Sequence, residues 1–475
     1  MCYASDMSTR LVNVDRRTPM LLPPDLKDWV PERHMVHFIL EAIEHLDLSC
    51  FRLNWRGSGS EQYPPGTMLA LLVYCYATGR FGSRRIEAAT YSDVVVRYIC
   101  ANYHPDHDTI CTFRRQNGEL FKEMFVKVLA MAAELGALKK VGTVSVDGTK
   151  IHANASKHSA VSYKRAGEMI EHLQLEVEAL VKKAEAADAT PLDDGLSIPK
   201  EIARREDRMA RLKKAKAVIE ERFEQVRREK QADYDAKMKA REESTREGKK
   251  PRGRKPKPPA KKPEDKAQYN FTDADSRIMK AGKSEAFEQS YNAQAAVDVE
   301  GSYLILGKRV TNLSNDKKEL KPTLDSVDEA VRQVDEALAD SGYFSEAAVE
   351  EIESDGKTTV YAAVEKQAHG RTVAQLEKGK HPPPPDDNAS MTEQMRWRLR
   401  TRKGKERYKL RKQTVEPVFG IIKEAMGFRQ FHLRGSPKVE LEWDLVTLAY
   451  NMRRMFKLVG EKSLPQPGGL RSCGY

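Results

Sequence analysis

A long, charge-rich segment interrupts this sequence and limits how the rest of the chain can fold. Residues 163 to about 247 are strongly charged, and apolar side chains such as Leu212 and Ile219 recur in them at heptad spacing. A break between Pro191 and Pro199 divides the segment into two helices, which predicts an antiparallel helical hairpin or coiled coil. We interpret the segment as a solvated spacer with one narrow apolar seam.

A basic, proline-rich stretch, KKPRGRKPKPPAKKP, follows at residues 249–263. It has no acids and no large apolar residue, which predicts an extended, solvated linker. Its Arg252-Gly253-Arg254 core resembles an AT-hook, a short segment that enters the minor groove of DNA, although Lys255 replaces the usual proline. Whether the segment acts as a hook or as a simple linker, we expect Arg252 and Arg254 to attract DNA phosphates.

Strand and helix patterns lie on both sides of this insertion. VGTVSVDGTKIHA alternates apolar and polar side chains as a core strand does, and from residue 268 to about 458 strands alternate with amphipathic helices. The pattern predicts a mixed α/β fold whose sheet domain is discontinuous. The expected divisions are a helical domain at 1–135, the sheet domain at 136–160 and 268–458, a helical hairpin insertion at 161–248, a linker at 249–267 and a flexible tail at 459–475.

Charge and hydropathy indicate the class of partner. The formal net charge is +11 and the pI about 9.1, which favours a polyanion. No apolar run approaches the ~20 residues that span a bilayer, and the N-terminus lacks the apolar core of a signal peptide. We therefore expect a cytoplasmic protein that binds nucleic acid and no membrane. The six cysteines contain no CxxC pair, so nothing indicates a zinc site or a disulfide framework.

The N-terminal region predicts several short helices. One of them is expected to start at Asp108 or Thr109, both good N-caps, and it carries Arg114 and Arg115 near its end. A basic terminal helix is compatible with a helix-turn-helix-like module that contacts DNA through these arginines. A plain helical bundle is compatible with the same pattern.

Three carboxylates stand where strands and a helix could bring them together. Asp147 ends the apolar part of the first strand, Asp340 follows another strand in ALADSGY, and Glu416 lies in the basic helix RKQTVEPVFGIIK. Such a cluster of hard oxygen ligands suits Mg²⁺ or Mn²⁺. Two ions can activate a water or a 3′-hydroxyl and stabilise the leaving oxygen of a phosphodiester. With 70 acidic residues in the chain, the pattern alone leaves this triad one choice among many.

Several blocks of the sequence resemble the DDE transposases of bacterial insertion sequences, in the order that the family has them. YPPGTMLALLVYCYATGRFGSRRIEAAT and HPDHDTICTFRRQN resemble the N-terminal DNA-binding domain. VSVDGTKIHANAS, FTDADSRIMKAG, SYNAQAAVD, ALADSGYFS and RKQTVEPVFGIIK resemble the RNase H-like catalytic domain, and FRQFHLRG with LVTLAYNMRRM resembles its ending. The resemblance implies that Asp147, Asp340 and Glu416 are the catalytic acids and hold two Mg²⁺ or Mn²⁺ ions.

The family's last block places a tyrosine, an arginine, the glutamate and a lysine on one helix. Tyr408, Arg411, Glu416 and Lys423 supply these residue types, which implies DNA contacts from Tyr408, Arg411 and Lys423. Four residues separate Arg411 from Glu416 where three are usual, so Lys412 is the alternative to Arg411.

Two further features leave alternatives open. The motif DADSR, Asp273 to Arg277, matches another family block and could position substrate or form a polar turn. Tyr343, three residues after Asp340, could stack on a base or fill a turn.

The resemblance implies a cut-and-paste transposase acting on double-stranded DNA. It would bind the terminal inverted repeats of its element, hydrolyse phosphodiesters there and join the 3′ ends to target DNA, as a homodimer in the DNA complex. The alternatives are a catalytically inactive DNA-binding protein derived from such an enzyme, and a coiled-coil scaffold. The scaffold would leave the acids on the strands unexplained.

Overall fold

The computed structural model describes the greater part of the chain. The described residues are 25–49, 51, 62–189, 198–246, 255–280, 286–365, 383–386 and 389–459. Arg252 and Arg254 of the linker, and residues 460–475 of the expected tail, lie outside these ranges.

Within the described residues, a short 3-10 helix (Leu26–Trp29) and six α-helices form the N-terminal part of the structure. Asp106 caps the fifth of them, because its carboxylate accepts a hydrogen bond of 2.6 Å from the amide of Thr109. The N-cap therefore lies two residues before the first of the predicted caps, Asp108 and Thr109, and the helix begins at His107. The six helices are α1 (Met35–Glu44), α2 (Pro65–Ala77), α3 (Ser83–Ser92), α4 (Val94–Ile99), α5 (His107–Gln116) and α6 (Gly118–Glu134).

A mixed sheet is the centre of the fold and confirms the predicted α/β class. The eight strands are β1 (Val141–His152), β2 (Ala160–Ser162), β3 (Gln268–Asn270), β4 (Arg277–Lys280), β5 (Phe287–Asp298), β6 (Ile305–Thr311), β7 (Gln333–Ala339) and β8 (Thr359–Ala362). The main sheet has the order β4-β5-β1-β7-β8, with β6 also paired to β5, while β2 and β3 form a separate pair. β1 is antiparallel to β5 and parallel to β7, and β7 is parallel to β8.

The first strand extends further than the sequence pattern predicted. Asp147 was expected at its end, but β1 continues to His152, because residues 147–152 pair with residues 290–295 of β5. Its other neighbour, β7, ends at Ala339. Asp147 therefore lies inside a paired strand, just beyond the last register pair between β1 and β7.

One predicted helix is wrong over most of its length. The pattern KELKPTLDSVDEAVRQV predicted a continuous amphipathic helix, but only α9 (Leu320–Leu324) forms. The Ser326 hydroxyl donates a 2.6 Å hydrogen bond to the carbonyl of Thr323. Val327 packs so close to Gly307 of β6 that a Cβ at position 307 would not fit. Packing against the sheet thus overrides the helical periodicity.

The charged insertion contains two antiparallel helices, α7 (Tyr163–Ala189) and α8 (Ile198–Arg246). Tyr163 donates a 2.7 Å hydrogen bond to Glu220, and Arg205 pairs with Glu176 at 2.9 Å, so the start of α7 lies beside the middle of α8. A small apolar cluster fills the seam between them: Val161, Ala166, Ile170, Leu173, Leu212 and Ala215. Both helices lie between β2 and β3 in the chain.

The remaining helices pack against the main sheet. They are α10 (Glu346–Glu353), α11 (Met391–Arg400), α12 (Arg402–Gly420), which continues as a π-helical turn at Ile421–Ala425, and α13 (Ser436–Val459). α12 contacts β1, β5, β7 and β8, whereas α13 contacts β6, α2 and α6. The indole of Trp443 on α13 is fully buried and donates to the carbonyl of Gln294 on β5 at 3.2 Å. The N-terminal helices and the sheet therefore share one core.

We predict that Asp298→Ala lowers the free energy of unfolding by about 3–5 kcal/mol. Asp298 ends β5 and contacts Arg332 at 2.6 Å, and both side chains are buried, so the substitution leaves a buried guanidinium without its carboxylate. Denaturant unfolding measures the loss. The matched control is Glu406→Ala, which removes the partner of the exposed Arg402 and should change stability little. Similar losses in both variants would contradict the prediction.

Candidate active site

Two of the predicted acids lie side by side on the sheet. The last register pair between the parallel strands β1 and β7 is Ser145 with Leu338, and Asp147 and Asp340 each lie two residues further along the chain. Both residues therefore lie at the end of β7, on adjacent strands. The carboxylate of Asp147 accepts a 2.8 Å hydrogen bond from the amide of Gly148, and that of Asp340 accepts a 2.6 Å bond from the amide of Gly342.

Helix α12 brings a cation and an aromatic ring to this pair. Arg411 is buried, and its guanidinium lies 3.5 Å from the carboxylate of Asp147. The same guanidinium lies 5.8 Å from the centre of the Tyr408 ring. The helix thus places the tyrosine and arginine of the predicted block at the acid pair, with Arg411 rather than Lys412 facing Asp147, while Lys412 is exposed.

The glutamate and lysine of the block are placed differently. Glu416 is exposed on α12, and the structure does not bring its carboxylate into the cluster of Asp147 and Asp340. Among the described residues, no three His, Cys, Asp or Glu side chains are grouped as ligands of a metal ion. Lys423 lies in the π-helical turn, and its ammonium donates to the carbonyl of Lys150 on β1 at 3.0 Å.

A third aspartate, which the sequence analysis missed, lies beside the pair. A Cβ placed on Gly342 would be 2.9 Å from Asp340 Oδ1 and 3.9 Å from Asp316 Oδ2, so these carboxylates face the same small space. Asp316 Oδ1 accepts hydrogen bonds from Asn292 at 2.6 Å and from Gln294 at 3.0 Å. The polar run after β6, NLSND, was the available signal, since it follows a strand end as Asp340 does.

Asp316 also belongs to a buried polar network. Its Oδ1 lies 3.5 Å from the ammonium of Lys150, two strand positions after Gly148. Tyr343 is fully buried and donates its hydroxyl to the side-chain oxygen of Gln294, which donates in turn to Asp316. This confirms the turn-filling interpretation of Tyr343. The network therefore links the loop that carries Asp340 to β1 and β5.

Gly148 makes room for this network next to Asp147. A Cβ at position 148 would collide with the side-chain amide of Gln294 and lie 2.9 Å from Asn292 Oδ1. The glycine after the first acid therefore has a packing reason, because two amide side chains of β5 occupy the space beside it.

Burial and neighbouring charge change the acidity of the site. Burial raises the pKa of Asp147 to about 6, and Asp340 and Asp316 add to the increase. The Gly148 amide and Arg411 oppose it. Burial also raises the pKa of Tyr343 well above its usual value, with further contributions from Asp147, Asp316 and Asp340. Burial thus disfavours the charged form of Asp147, and a cation bound beside it would restore that form.

The DADSR motif forms a structural turn. Asp273 is buried and accepts hydrogen bonds from the Tyr291 hydroxyl at 2.9 Å and from the Gly435 amide at 3.3 Å. Asp275 accepts a bond from the Ser436 amide at 3.0 Å, where α13 begins. These contacts are those of the polar-turn interpretation, since the motif holds α13 against the sheet.

The two arginines predicted to contact DNA on α5 have different environments. Arg114 is buried and donates to the Tyr76 hydroxyl at 2.9 Å and to the carbonyl of Phe81 at 3.3 Å, so it joins α5 to α2. Arg115 is exposed at the end of the same helix.

Two family models match the chain. A model described as "Transposase DDE domain" matches residues 252–452, which include Asp340 and Glu416, and one described as "Transposase domain (DUF772)" matches residues 24–116. The second range covers helices α1 to α5.

Short stretches of the chain are similar to two curated proteins. Solute carrier family 22 member 6 of Rattus norvegicus is 23% identical over 111 residues, 23% of this chain and 20% of that protein. Its counterpart from Oryctolagus cuniculus is 31% identical over 72 residues, 15% of this chain and 13% of that protein. The chain thus spans at most about a fifth of these proteins, and within the described residues no helix is both long and apolar enough to cross a membrane. No solved structure matches the chain.

We predict that Asp147→Asn stabilises the metal-free protein at neutral pH. Between about pH 4 and pH 6, Asp147 is protonated in the folded wild type and ionised in the unfolded chain. Because the folded state binds the extra proton, the free energy of unfolding of the wild type falls as pH rises through this window. The asparagine variant lacks that loss, and its advantage should reach on the order of 1–3 kcal/mol above pH 6 and vanish below pH 4. Denaturant unfolding in chelator from pH 4 to 8 measures it, and an advantage that grew toward low pH would refute the prediction.

Proposed function

Because the chain belongs to the DDE transposases of insertion sequences, we propose that it binds the terminal inverted repeats of its element and catalyses cleavage and strand transfer of the DNA there. The observation that carries the proposal is the placement of Asp147 and Asp340 on adjacent parallel strands, with Arg411 beside them. The order of the sheet, with an antiparallel β6-β5-β1 unit followed by β7 and β8 parallel to β1, supports an RNase H-like core.

The residues present fit a divalent cation. Asp147 and Asp340 offer hard oxygen ligands, and burial, with a smaller contribution from Asp340 and Asp316, raises the pKa of Asp147, so a bound cation would favour its charged form. We propose that these two aspartates hold Mg²⁺ or Mn²⁺. Glu416 is exposed on the helix that contacts Asp147 through Arg411, and we propose that it joins the two aspartates as the third acid when metal and DNA are bound. Bound ions would supply Lewis-acid activation of a water or 3′-hydroxyl and stabilise the leaving oxygen.

The protein's own groups have separate tasks in this proposal. Arg411 partly balances Asp147 at 3.5 Å, and Tyr408 is held over its guanidinium, where both can contact the cut strand. Lys423 bonds to the Lys150 carbonyl and so ties the end of α12 to the strand that carries Asp147. Cutting two transposon ends in one complex requires at least two copies of the chain, so we propose a homodimer on DNA.

The acid triad provides the direct test of this function. We predict that Asp147→Ala, Asp340→Ala and Glu416→Ala each abolish Mg²⁺-dependent cleavage of transposon-end DNA while DNA binding stays nearly intact. The reason is that metal ligands act in the chemical step, whereas other surfaces hold the DNA. Cleavage and gel-shift assays on the full chain measure both properties.

Each outcome of that test has a defined meaning. Substantial cleavage by one variant would remove that residue from the site. A wild-type protein that binds the ends without cleaving or joining them would favour the alternative, a catalytically inactive DNA-binding protein derived from a transposase.

A second prediction separates the two arginines of α5. We predict that Arg115→Gln weakens binding of end DNA by about 1–3 kcal/mol without lowering stability, because Arg115 is exposed. Arg114→Gln should instead destabilise the fold, because Arg114 is buried on Tyr76. The full chain is used, since α13 completes the core of the N-terminal helices. Fluorescence anisotropy and thermal unfolding measure the two effects; a stable Arg115→Gln variant that binds end DNA like wild type would exclude this helix from the interface.

A further inference from the structure

Helix α12 has an exposed row of lysines, Lys405, Lys409 and Lys412, which we call the lysine face. The three recur at i, i+4 and i+7, so they lie on one side of the helix, and all are exposed. Within the described part of the chain, none of them makes an ion pair, although this region holds several acids. The lysine face is therefore a concentrated positive charge that the fold leaves to the solvent.

The other cations of α12 are already engaged. Lys403 and Arg407 both contact the buried Glu336 of β7, at 2.8 Å and 2.7 Å. Arg402 contacts Glu406 at 3.1 Å, and Arg411 lies 3.5 Å from Asp147. Three basic residues of the helix, Lys403, Arg407 and Arg411, thus contact acids of the sheet, Arg402 pairs within the helix, and the lysine face is left to the solvent.

The lysine face borders the acid pair. Tyr408 lies three residues from Lys405 and four from Lys412, so it is their neighbour on the helix surface. The Tyr408 ring lies 5.8 Å from the guanidinium of Arg411, which itself contacts Asp147. Glu416, four residues after Lys412, continues the same row. Arg411 and Tyr408 therefore lie between the acid pair and the lysine face on the surface of the helix.

The spacing suits a nucleic-acid backbone. Like charges at i and i+4 on a helix repel each other, and a polyanion removes that repulsion. Lys405 and Lys412 are seven residues apart, which corresponds to about 10 Å along the helix axis. Phosphates of one strand recur about every 3.4 Å along the duplex axis, so the three lysines span several phosphates, which their long flexible side chains can reach.

We propose that the lysine face binds the sugar–phosphate backbone of the DNA duplex that lies across the acid pair. This rests on the proposed function, and it assigns to α12 a surface for DNA beyond the block formed by Tyr408, Arg411 and Lys423. Lysine ammonium groups contact phosphates as point charges and carry no base specificity. The surface therefore adds affinity for DNA of any sequence and leaves recognition of the ends to other elements.

The test measures how salt affects binding of a random-sequence duplex to the full chain. In Lys405→Gln/Lys409→Gln/Lys412→Gln, the slope of log affinity against log salt should fall by roughly 0.9 for each lost phosphate contact, or about 2–3 in total. The matched control is Lys182→Gln/Lys213→Gln/Lys214→Gln, which removes three exposed lysines from α7 and α8 and should leave the slope close to that of wild type. Lys405→Arg/Lys409→Arg/Lys412→Arg keeps the charges and should keep the slope.

The outcomes separate this inference from the proposed function. An unchanged slope in the first variant, or an equal fall in the control, overturns the inference, whereas wild-type cleavage measured in parallel would still support the proposed function. A reduced slope in a protein that cleaves no DNA would support the lysine face and refute the catalytic proposal. A reduced salt dependence of binding in the arginine variant as well would mean that the substitutions had disturbed the helix rather than its charge. That result would count against the inference.

Discussion

The parallel pairing of β1 with β7 is the constraint on which the rest of the site depends. A shift of one residue in this register would turn Asp147 or Asp340 to the opposite face of the sheet, because side chains alternate along a strand. β1 is held from both sides, by β7 as far as Ser145 and by β5 along the stretch that contains Asp147. Asp147 therefore has a backbone position that the sheet defines, while its carboxylate points to where β7 has ended.

Placing carboxylates together has an electrostatic cost, which the surrounding residues reduce unevenly. One carboxylate oxygen of Asp316 accepts hydrogen bonds from two side-chain amides and lies near the ammonium of Lys150. Asp147 has only a backbone amide and a guanidinium at 3.5 Å, and its pKa is raised to about 6. The fold thus neutralises the aspartate behind the pair and leaves the pair itself short of positive charge. This asymmetry suits a site that binds metal cations from solution.

The sequence made some parts of this arrangement predictable and others not. Asp147 and Asp340 were predictable because each follows a short run of apolar residues typical of a strand, and adjacent strands bring such positions together, although β1 continues past Asp147 to His152. The environment of Glu416 was not predictable, because it depends on how α12 is rotated against the sheet. The buried face of the helix, which includes Val415 and Val418, leaves Glu416 on the exposed side. Local pattern carries no information about such packing between distant elements.

The same limit explains the other differences between pattern and structure. Arg114 looks like a surface cation in a basic helix, yet Tyr76, distant in the sequence, draws it into the core. The segment after α9 has helical periodicity, yet its packing against Gly307 excludes a helix. In both cases a contact between residues far apart in the chain outweighs a local preference.

The sheet tolerates its long insertion because the two ends of that insertion are joined to each other. β2 precedes α7 and β3 follows the linker. The two strands pair with each other, with Ala160 of β2 opposite Asn270 of β3. The amide of Phe271 also bonds to the carbonyl of Ser159 at 2.9 Å. Since the chain leaves and re-enters at one point, closing this loop is largely independent of its length, because the entropy of closure grows only with the logarithm of the number of residues. The pairing of β2 with β3 therefore returns the chain to the point where it left the sheet domain, and β4 and β5 can pair beyond it.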